Sequence, residues 1–383
     1  TSILLTNAQE GEVNNNIHLP WYFAGGKRYP KPATESQKMH KRVAKLLVFE
    51  DPYSDRISNQ LMFVPPNYEK ILKSGKLKTV LLYNNWNMEE DRDVFTECPV
   101  STCQLTTDRD EAINADLILY KDIFVPTYVP RSPNQIFMIY YLESPYNTIS
   151  VNYPPVFNWT ATYRKDSTIV APYEKWEYYD PRVKQMEQNQ NFAQNKTKKV
   201  AWFVSNCKTS NGRLAYAKEL QKHINVDIYG RCGGFQCFRN HSNHCFEILN
   251  RDYKFYLAFE NSNCMYYITE KFFVNALNNN ILPIVMGARP EDYESSAPYR
   301  SYIHVDEFES PKHLADYLHI LDKSDDLYNS YFKWKGTGEF INTYFWCRVC
   351  AMLHDDFAIT SATYYDDINE WWRPVGTCTS DTW

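Results

Sequence analysis

Short apolar runs alternate with helical patterns along most of the chain. The runs that predict buried strands are 45–51, 79–85, 115–120 and 136–144 in the first half, and 199–206, 226–230, 254–261 and 282–287 in the second. Helical spacing of apolar residues over 212–224, and again from about residue 268, predicts helices between the later strands. Strands that alternate with helices are typical of parallel sheets covered on both faces. The pattern predicts an α/β chain with two Rossmann-like domains facing a cleft.

A polar stretch without strand character, 180–199, separates the two series of strands. Such a stretch is typical of a connection between domains. We therefore expect an N-terminal domain over residues 1–190 and a second domain over residues 191–350.

Polar side chains stand where several of the predicted strands end. Ser205 and Asn206 end one strand of the second half, and Glu260 and Asn261 end another, while Glu143 ends a strand of the first half. Ligands of such sheets bind beyond the carboxyl ends of the strands. These side chains are therefore predicted to line the cleft, with Glu143 on the opposite wall from the other four.

Lys271 stands in the first turn of a predicted helix, where the helix dipole disfavours a positive charge. One interpretation is a solvated pair with Glu270. The other is an anion site, in which Lys271 and backbone N–H groups bind a phosphate group. Arg213 is predicted to reach the same edge of the sheet as Lys271. Two cations there and the carboxylate of Glu143 across the cleft suit a diphosphate leaving group and a base.

Composition restricts the classes of function and the compartment. The chain has 383 residues with 41 basic and 46 acidic side chains, a net charge of −5 that does not suggest nucleic-acid binding. The sequence contains no apolar run long enough to span a membrane, and its polar start suggests a fragment whose targeting segment is missing. Ten cysteines and three sequons, at Asn158, Asn195 and Asn240, favour an oxidising secretory compartment and N-glycosylation.

Motifs of several other chemistries are absent or weak. The chain has no Gly-x-Gly-x-x-Gly fingerprint and no P-loop. Asp-Arg-Asp triplets at 91–93 and 108–110 do not follow apolar strands, so no metal site is predicted there. The cysteines and histidines of 232–245 have spacing that zinc tolerates, but disulfides are favoured in a lumenal protein. For Cys232 and Cys237 we expect a local bridge.

The segment "YKFYLAFENSNCMYYITEKFFVNALNNNILPIVMGA" (253–288) resembles the signature of the α1,3/α1,4-fucosyltransferases, which use GDP-fucose. The resemblance includes "YLESP" (141–145) and covers roughly residues 115–354. Two later segments, 338–355 and "NEWWR" (369–373), resemble the invertebrate and plant subgroup that acts on the core of N-glycans. The resemblance implies the GT-B architecture, with an acceptor domain first and a GDP-fucose domain second.

The resemblance also implies roles for individual residues. Glu143 is similar to the catalytic base of the family. The positions that match the donor-binding site are Ser205, Asn206, Arg213, Tyr256, Asn261, Tyr267, Glu270 and Lys271. The chain departs from the family at Tyr266, where the family usually has Asp. This departure concerns one supporting contact of the donor site and not the pair Glu270/Lys271.

By resemblance, the expected reaction is inverting transfer of L-fucose from GDP-fucose to the 3-hydroxyl of GlcNAc in the N-glycan core. No cofactor is obligatory, and stimulation by Mn²⁺ or Mg²⁺ stays open. The expected location is the Golgi lumen, with a type II membrane anchor outside this fragment. The alternatives are an outer-branch (Lewis-type) fucosyltransferase, a catalytically silent glycan-binding protein, which Tyr266 favours, and an enzyme for another sugar nucleotide.

The resemblance further implies that Cys98 and Cys103 are bonded to Cys347 and Cys350. Such bonds would tie the C-terminal tail, residues 351–383, back to the N-terminal domain.

Overall fold

The computed structural model describes residues 19–23, 45–84, 92–237 and 242–380. Within these ranges the chain forms two parallel β-sheets with helices around them and two short antiparallel strand pairs. One sheet has six strands, all from the first half of the chain, and the other has five strands from the second half. The structure thus confirms the α/β class with two Rossmann-like domains.

The sheet of the first domain has the strand order β2-β1-β3-β4-β5-β6. Its strands are β1 (Lys78–Leu82), β2 (Cys103–Thr106), β3 (Leu117–Lys121), β4 (Ile136–Tyr141), β5 (Trp159–Thr162) and β6 (Ile169–Val170). All neighbouring strands pair in parallel, so their carboxyl ends lie at one edge of the sheet. That edge is where the loop carrying Glu143 begins.

The sheet of the second domain has the order β13-β12-β10-β8-β9, and its paired strands are also parallel. Its strands are β8 (Lys198–Phe203), β9 (Val226–Tyr229), β10 (Tyr253–Phe259), β12 (Leu282–Met286) and β13 (Ile303–His304). All seven residues of β10 are buried, because this central strand is covered on both faces. A nearly continuous apolar run is the pattern that such a strand requires, and in β10 it is interrupted only by Lys254.

Two further strand pairs connect distant parts of the chain. In one, β7 (Lys175–Tyr178) pairs with β14 (Gly338–Ile341); in the other, β11 (Asn263–Cys264) pairs with β15 (Cys378–Thr379). The second pair brings the end of the chain to the segment that follows β10.

Most of the described helices are short, and the two longest, of 11 and 13 residues, belong to the second domain. They are α1 (Arg56–Met62), α2 (Tyr68–Ser74), α3 (Arg213–Leu220), α4 (Ser242–Asp252), α5 (Glu270–Phe272), α6 (Pro290–Ser296), α7 (Pro311–Lys323), α8 (Asp325–Ser330), α9 (Phe345–Leu353), α10 (Asp356–Thr360) and α11 (Ile368–Trp372). The helix predicted from about residue 268 begins at Glu270, after Thr269, whose side chain caps α5, and it continues as a π-helix over Phe273–Leu277. None of the helices described is long and apolar enough to cross a bilayer.

The prediction of a strand over 45–51 is wrong. This segment forms turns, and the carboxylate of Glu50 accepts hydrogen bonds from the backbone N–H groups of Leu46 and Leu47, both at 2.9 Å. Leu46 and Leu47 are nevertheless buried in the core of the first domain. The apolar run therefore correctly indicated burial, but the nearby carboxylate occupies the N–H groups that a strand would use.

The predicted boundary at residue 350 also needs correction. Helix α9 packs on the first sheet, where Val349 and Met352 share an apolar cluster with Leu117 and Leu119 of β3. The chain has therefore returned to the first domain by residue 345. Helix α11 covers the opposite face of the same sheet. Its Trp372 shares an apolar cluster with Ile118 and Tyr120, the residues of β3 whose side chains point to that face.

All ten cysteines are paired. The bonds Cys98–Cys347 and Cys103–Cys350 join residues 249 and 247 positions apart and hold α9 on the first domain, as the resemblance implied. The expected local bridge between Cys232 and Cys237 is wrong. These residues instead form the bonds Cys207–Cys232 and Cys237–Cys245, and the fifth bond is Cys264–Cys378. With its cysteines bonded in this way, the 232–245 segment offers no thiolate to zinc.

The three sequons differ in their surroundings. Asn195 is exposed in a turn with φ 65°, a position that a glycan can occupy. The amide oxygen of Asn158 accepts hydrogen bonds from Arg131 and from the backbone N–H of Phe137 (3.0 Å), and the Thr160 of its sequon is buried. These contacts oppose modification of Asn158 once the domain has folded. Asn240 lies outside the described residues.

Candidate active site

Glu143 lies at the carboxyl edge of the first sheet, where one of its oxygens is held by several donors. Its Oε1 accepts hydrogen bonds from the backbone N–H of Ser144 (2.7 Å), the hydroxyl of Tyr267 (2.7 Å) and the amide of Asn261 (3.2 Å). The amide of Asn147 approaches the same oxygen at 3.5 Å. Two of these donors, Tyr267 and Asn261, belong to the second domain. The contact between the two domains therefore orients Glu143.

The other oxygen of Glu143, Oε2, has no hydrogen bond among the described residues. Burial disfavours the charged carboxylate, but the hydrogen bonds from Ser144, Tyr267 and Asn261 outweigh this effect and lower the pKa of Glu143. The group is therefore ionised at neutral pH. One oxygen is fixed in place and the other can take a proton from a hydroxyl group, which is the geometry that a general base requires.

We expect that replacing Tyr267 by Phe moves the acid limb of the kcat/KM profile to higher pH. The hydroxyl of Tyr267 stabilises the carboxylate, so its loss raises the pKa of Glu143 while burial continues to disfavour the charge. The base is then protonated over a wider range at acidic pH. The measurement is kcat/KM against pH, which reports groups of the free enzyme.

The matched control for this prediction is Tyr163→Phe. The Tyr163 ring lies 5.2 Å from that of Tyr267, but its buried hydroxyl has no hydrogen-bond partner among the described residues. Removing it should therefore leave the acid limb in place. An unshifted limb in the Tyr267 variant would show that Glu143 does not control the profile.

Lys271 is paired with a buried carboxylate. Its Nζ lies 3.0 Å from Oε2 of Glu260 and 3.2 Å from Oε1 of Glu270, and it donates to the hydroxyl of Thr269 at 2.9 Å. Glu260 is fully buried at the end of β10, and its Oε1 accepts from both the N–H and the hydroxyl of Thr269 at 2.8 Å. Glu260 thus fixes both the start of α5 and its lysine.

The burial of Lys271 disfavours its charge, but Glu260 and Glu270 outweigh that effect and raise its pKa. Burial raises the pKa of Glu260, an effect that Lys271 opposes. The lysine is therefore charged, and Glu260 compensates for its position in the first helical turn. The side chain of Lys271 keeps 22% of its surface exposed, so it is not fully closed off from solvent.

Glu260 was noted in the sequence only as a polar strand end, and its role as the partner of Lys271 was missed. Gly287 allows this buried arrangement, because a Cβ atom there would stand 2.6 Å from Cγ of Glu260. A signal was present in the sequence: a carboxylate directly after the apolar run 255–259 needs a buried cation or donors.

Arg213 binds two backbone carbonyls. Its Nη1 donates to the carbonyl of Phe259 (2.7 Å), at the end of β10, and its Nη2 to the carbonyl of Asn206 (2.9 Å), after β8. The residue is only 3% exposed, burial lowers its pKa, and its Nε–H is buried without a partner among the described residues. Arg213 therefore joins the ends of two strands. A direct contact with a diphosphate stays a prediction.

Ser205 and Asn206 are exposed after β8, as expected for residues of a strand-end turn. The disulfide Cys207–Cys232 follows immediately and ties this turn to the one after β9. Glu270 is exposed too, with half of its side-chain surface open to solvent. These three residues can meet a ligand at the edge of the second sheet.

The placement of Tyr256 contradicts its predicted role in the donor site. It lies in the middle of β10, is fully buried, and its hydroxyl accepts a hydrogen bond from the amide of Asn275 at 3.3 Å. Burial raises the pKa of Tyr256 to about 12. Because the strand continues for three more residues before it reaches the ligand edge, Tyr256 is part of the core.

Tyr266, which replaces the usual Asp of the family, adopts a left-handed conformation with φ 61°. Its backbone N–H donates to Oδ2 of Asp292 at 2.9 Å, and its ring lies between Arg289 and Lys165, at 5.6 and 5.4 Å. The neighbouring Tyr267 still reaches Glu143. The substitution therefore leaves the hydrogen bonds of the candidate base intact.

The described residues contain one group of possible metal ligands, Cys103, Cys350 and His354. The two sulfur atoms form a disulfide with each other. Nε2 of His354 makes a hydrogen bond of 2.9 Å with the hydroxyl of Thr102. This group therefore has no thiolate to offer to an ion. The candidate site instead combines a carboxylate on the first domain with a lysine and an arginine on the second.

Known proteins resemble this chain over most of its length. A family model described as glycosyltransferase family 10 (fucosyltransferase) C-term matches residues 193–371, and one described as fucosyltransferase, N-terminal matches residues 75–174. Glycoprotein 3-alpha-L-fucosyltransferase A of Drosophila melanogaster is 65% identical over 95% of this chain and 74% of its own length. Alpha-(1,3)-fucosyltransferase C of the same organism is 34% identical over 78% of this chain and 75% of its own.

Among solved structures, a crystal structure of an alpha1,3-fucosyltransferase with GDP matches at a TM-score of 0.50 and 18% identity, covering 77% of this chain and 94% of the other. This likeness supports the GT-B fold. The two family models and the extent of identity with the Drosophila proteins establish that the chain belongs to glycosyltransferase family 10, the fucosyltransferases, and is an enzyme.

Proposed function

We propose that this enzyme transfers L-fucose from GDP-fucose to the 3-hydroxyl of the Asn-linked GlcNAc in the N-glycan core, with inversion at the anomeric carbon. The name of the 65% identical relative, a glycoprotein 3-alpha-L-fucosyltransferase, supports a glycoprotein acceptor and this linkage. The GDP in the matching crystal structure supports the donor.

The observation that carries the proposal is the environment of Glu143. Its Oε1 is held by Tyr267 and Asn261 of the second domain, while Oε2 is left without a partner among the described residues. In the proposed reaction, the oxygen of the acceptor hydroxyl attacks the anomeric carbon of fucose, and Oε2 of Glu143 takes the proton of that hydroxyl. General-base help of this kind is typically worth about 10²–10⁴ in rate.

The second domain supplies the positive charge. As the bond to the sugar breaks, negative charge grows on the diphosphate of GDP, and Lys271 and Arg213 stand at that edge of the sheet. Attack from the first domain and departure from the second take place on opposite faces of the sugar, which supports inversion. An acceptor hydroxyl near Glu143 and a diphosphate near Lys271 account for the distribution of charge across the site.

We further propose that the enzyme works in an oxidising lumen such as that of the Golgi, which its five disulfides support. We propose that no bound metal is obligatory and that Mn²⁺ or Mg²⁺ can at most stimulate transfer.

The test is incubation with GDP-fucose and a glycopeptide that carries a branched N-glycan, followed by fragmentation mass spectrometry. A fucose on the Asn-linked GlcNAc that is released only by a linkage-specific α1,3-fucosidase is the expected result. Fucose found only on outer-branch GlcNAc would contradict the proposed acceptor and leave the mechanism intact. Glycopeptide binding without transfer would instead favour a silent glycan-binding protein.

A further inference from the structure

A cavity of about 300 Å³ opens on the first domain. Ile123 and Phe124, which follow β3, form one side, and the segment 149–153, which follows β4, forms the other. Both loops leave the sheet at its carboxyl edge, the edge at which Glu143 stands. A cavity of this volume lies at the lower end of the range of small-molecule sites and has room for a monosaccharide-sized group.

The walls of this cavity combine apolar and polar side chains. Ile149 and Tyr153 keep 67% and 51% of their surface exposed, and the ring of Tyr153 stands 4.9 Å from that of Phe124 at 73°. Ser150 and Asn152 are exposed, and their side chains have no hydrogen-bond partner among the described residues. Aromatic faces beside free hydroxyl and amide groups suit a ligand with apolar C–H faces and hydroxyl edges, which is the chemistry of a sugar.

The same loop carries the candidate base and forms one wall of the cavity. Ile149 follows Glu143 by six positions, so at most about 21 Å separates their Cα atoms. The loop is shortened by a 3₁₀ turn at Pro145–Asn147. The cavity therefore lies within reach of an oligosaccharide of a few residues whose acceptor sugar stands at Glu143.

The C-terminal helix α11 and the residue after it hold this loop in place. The side-chain amide of Asn369 makes two hydrogen bonds with the backbone of Val151. Its oxygen accepts from the N–H and its nitrogen donates to the carbonyl, both at 2.8 Å. Arg373 donates to the carbonyls of Pro145 (3.0 Å) and Thr148 (2.7 Å), and Trp372 donates to the hydroxyl of Thr148 at 2.8 Å. The distance between the cavity and Glu143 is thereby fixed from outside the loop.

We propose that this cavity is a subsite for a sugar of the acceptor glycan other than the one that receives fucose, and that Asn369, Trp372 and Arg373 are positioning residues for it. The inference rests on the proposed function and adds a determinant of which glycans are accepted. Tyr153 provides the stacking face, and Ser150 and Asn152 bond to hydroxyl groups. Binding there presents the acceptor hydroxyl to Oε2 of Glu143.

The test compares Tyr153→Ala with wild type on a branched N-glycan attached either to a peptide or to a single asparagine. We expect the KM for both acceptors to rise about fivefold to tenfold, as the loss of one stacking contact implies. The KM for GDP-fucose should stay the same as in the wild type. Ser150→Trp, which fills the cavity from its exposed edge, should raise the acceptor KM at least as far. The control is Tyr53→Ala, which removes a tyrosine that is 98% exposed elsewhere on the first domain.

Three results would overturn the subsite while leaving the proposed function standing. These are unchanged acceptor KM values in the Tyr153 and Ser150 variants, a rise with the peptide-linked glycan alone, and an equal rise in the KM for GDP-fucose. The second result would mean that the cavity binds peptide. Failure of the wild-type enzyme to transfer fucose to either acceptor would contradict the proposed function, and the subsite with it.

Discussion

Replacing Glu143 by Gln should lower kcat for fucose transfer by at least about 100-fold, because the amide cannot take the proton of the acceptor hydroxyl. Gln keeps the size of the side chain, and its carbonyl oxygen can still accept from Tyr267 and Ser144. The structure around the site should therefore persist, and the affinity for GDP, measured by calorimetry, should stay close to that of the wild type. Transfer is measured with a glycopeptide acceptor at saturating GDP-fucose.

Asp122→Asn is the matched control for Glu143→Gln. Asp122 follows β3 at the same edge of the first sheet, and its pKa is raised by burial and, to a smaller extent, by the charge of Glu143. It is thus a second half-buried carboxylate at the edge of the sheet that carries the candidate base. The control should retain transfer within a few-fold. If instead Asp122→Asn loses activity and Glu143→Gln does not, the base is Asp122.

Replacing Lys271 by Ala should lower kcat/KM for GDP-fucose by about 100-fold or more, since it removes a cation from the diphosphate as charge develops there. The same change leaves Glu260 buried without its cation. We therefore also expect a lower melting temperature, because an unpaired buried charge is costly. Steady-state kinetics and thermal unfolding are the two measurements.

The double variant Lys271→Met with Glu260→Gln separates these two effects. It removes the buried carboxylate together with its cation, while Gln can still accept from Thr269. The melting temperature should recover toward that of the wild type, and kcat/KM should stay low. Recovery of both would mean that Lys271 only stabilises the start of α5 and does not bind the donor.

Much of the fold was predictable from local pattern. The strands at 79–85, 115–120, 136–144 and 254–261 appear in the structure within a few residues of the predicted bounds. Each is a short, nearly continuous apolar run, which is the composition that a strand covered on both faces requires. The segment 45–51 has the same composition and forms turns, because the carboxylate of Glu50 takes two of its N–H groups. Composition thus predicted which residues are buried more reliably than it predicted the conformation of the backbone.

The candidate site was predictable only in part. Strand-end position and resemblance placed Glu143, Asn261 and Lys271 at the right edges of the two sheets. The same reasoning placed Tyr256 in the donor site, although it lies in the core, because a motif match carries no information about which way a side chain points. The partners of Arg213 are two strand-end carbonyls, which no pattern of side-chain types can indicate.

The sequence by itself determined the alternation of strands and helices, the residues that end the strands and the family, because each of these depends on residues close together along the chain. Only the tertiary structure decided which oxygen of Glu143 is free, since the hydroxyl that holds the other oxygen belongs to Tyr267, 124 positions away in the second domain. It also decided that the C-terminal helix holds the loop after Glu143, over separations of more than 200 residues. Hydrogen bonds of this range depend on how two sheets are packed together, and the packing is the sum of many contacts rather than the property of any one segment.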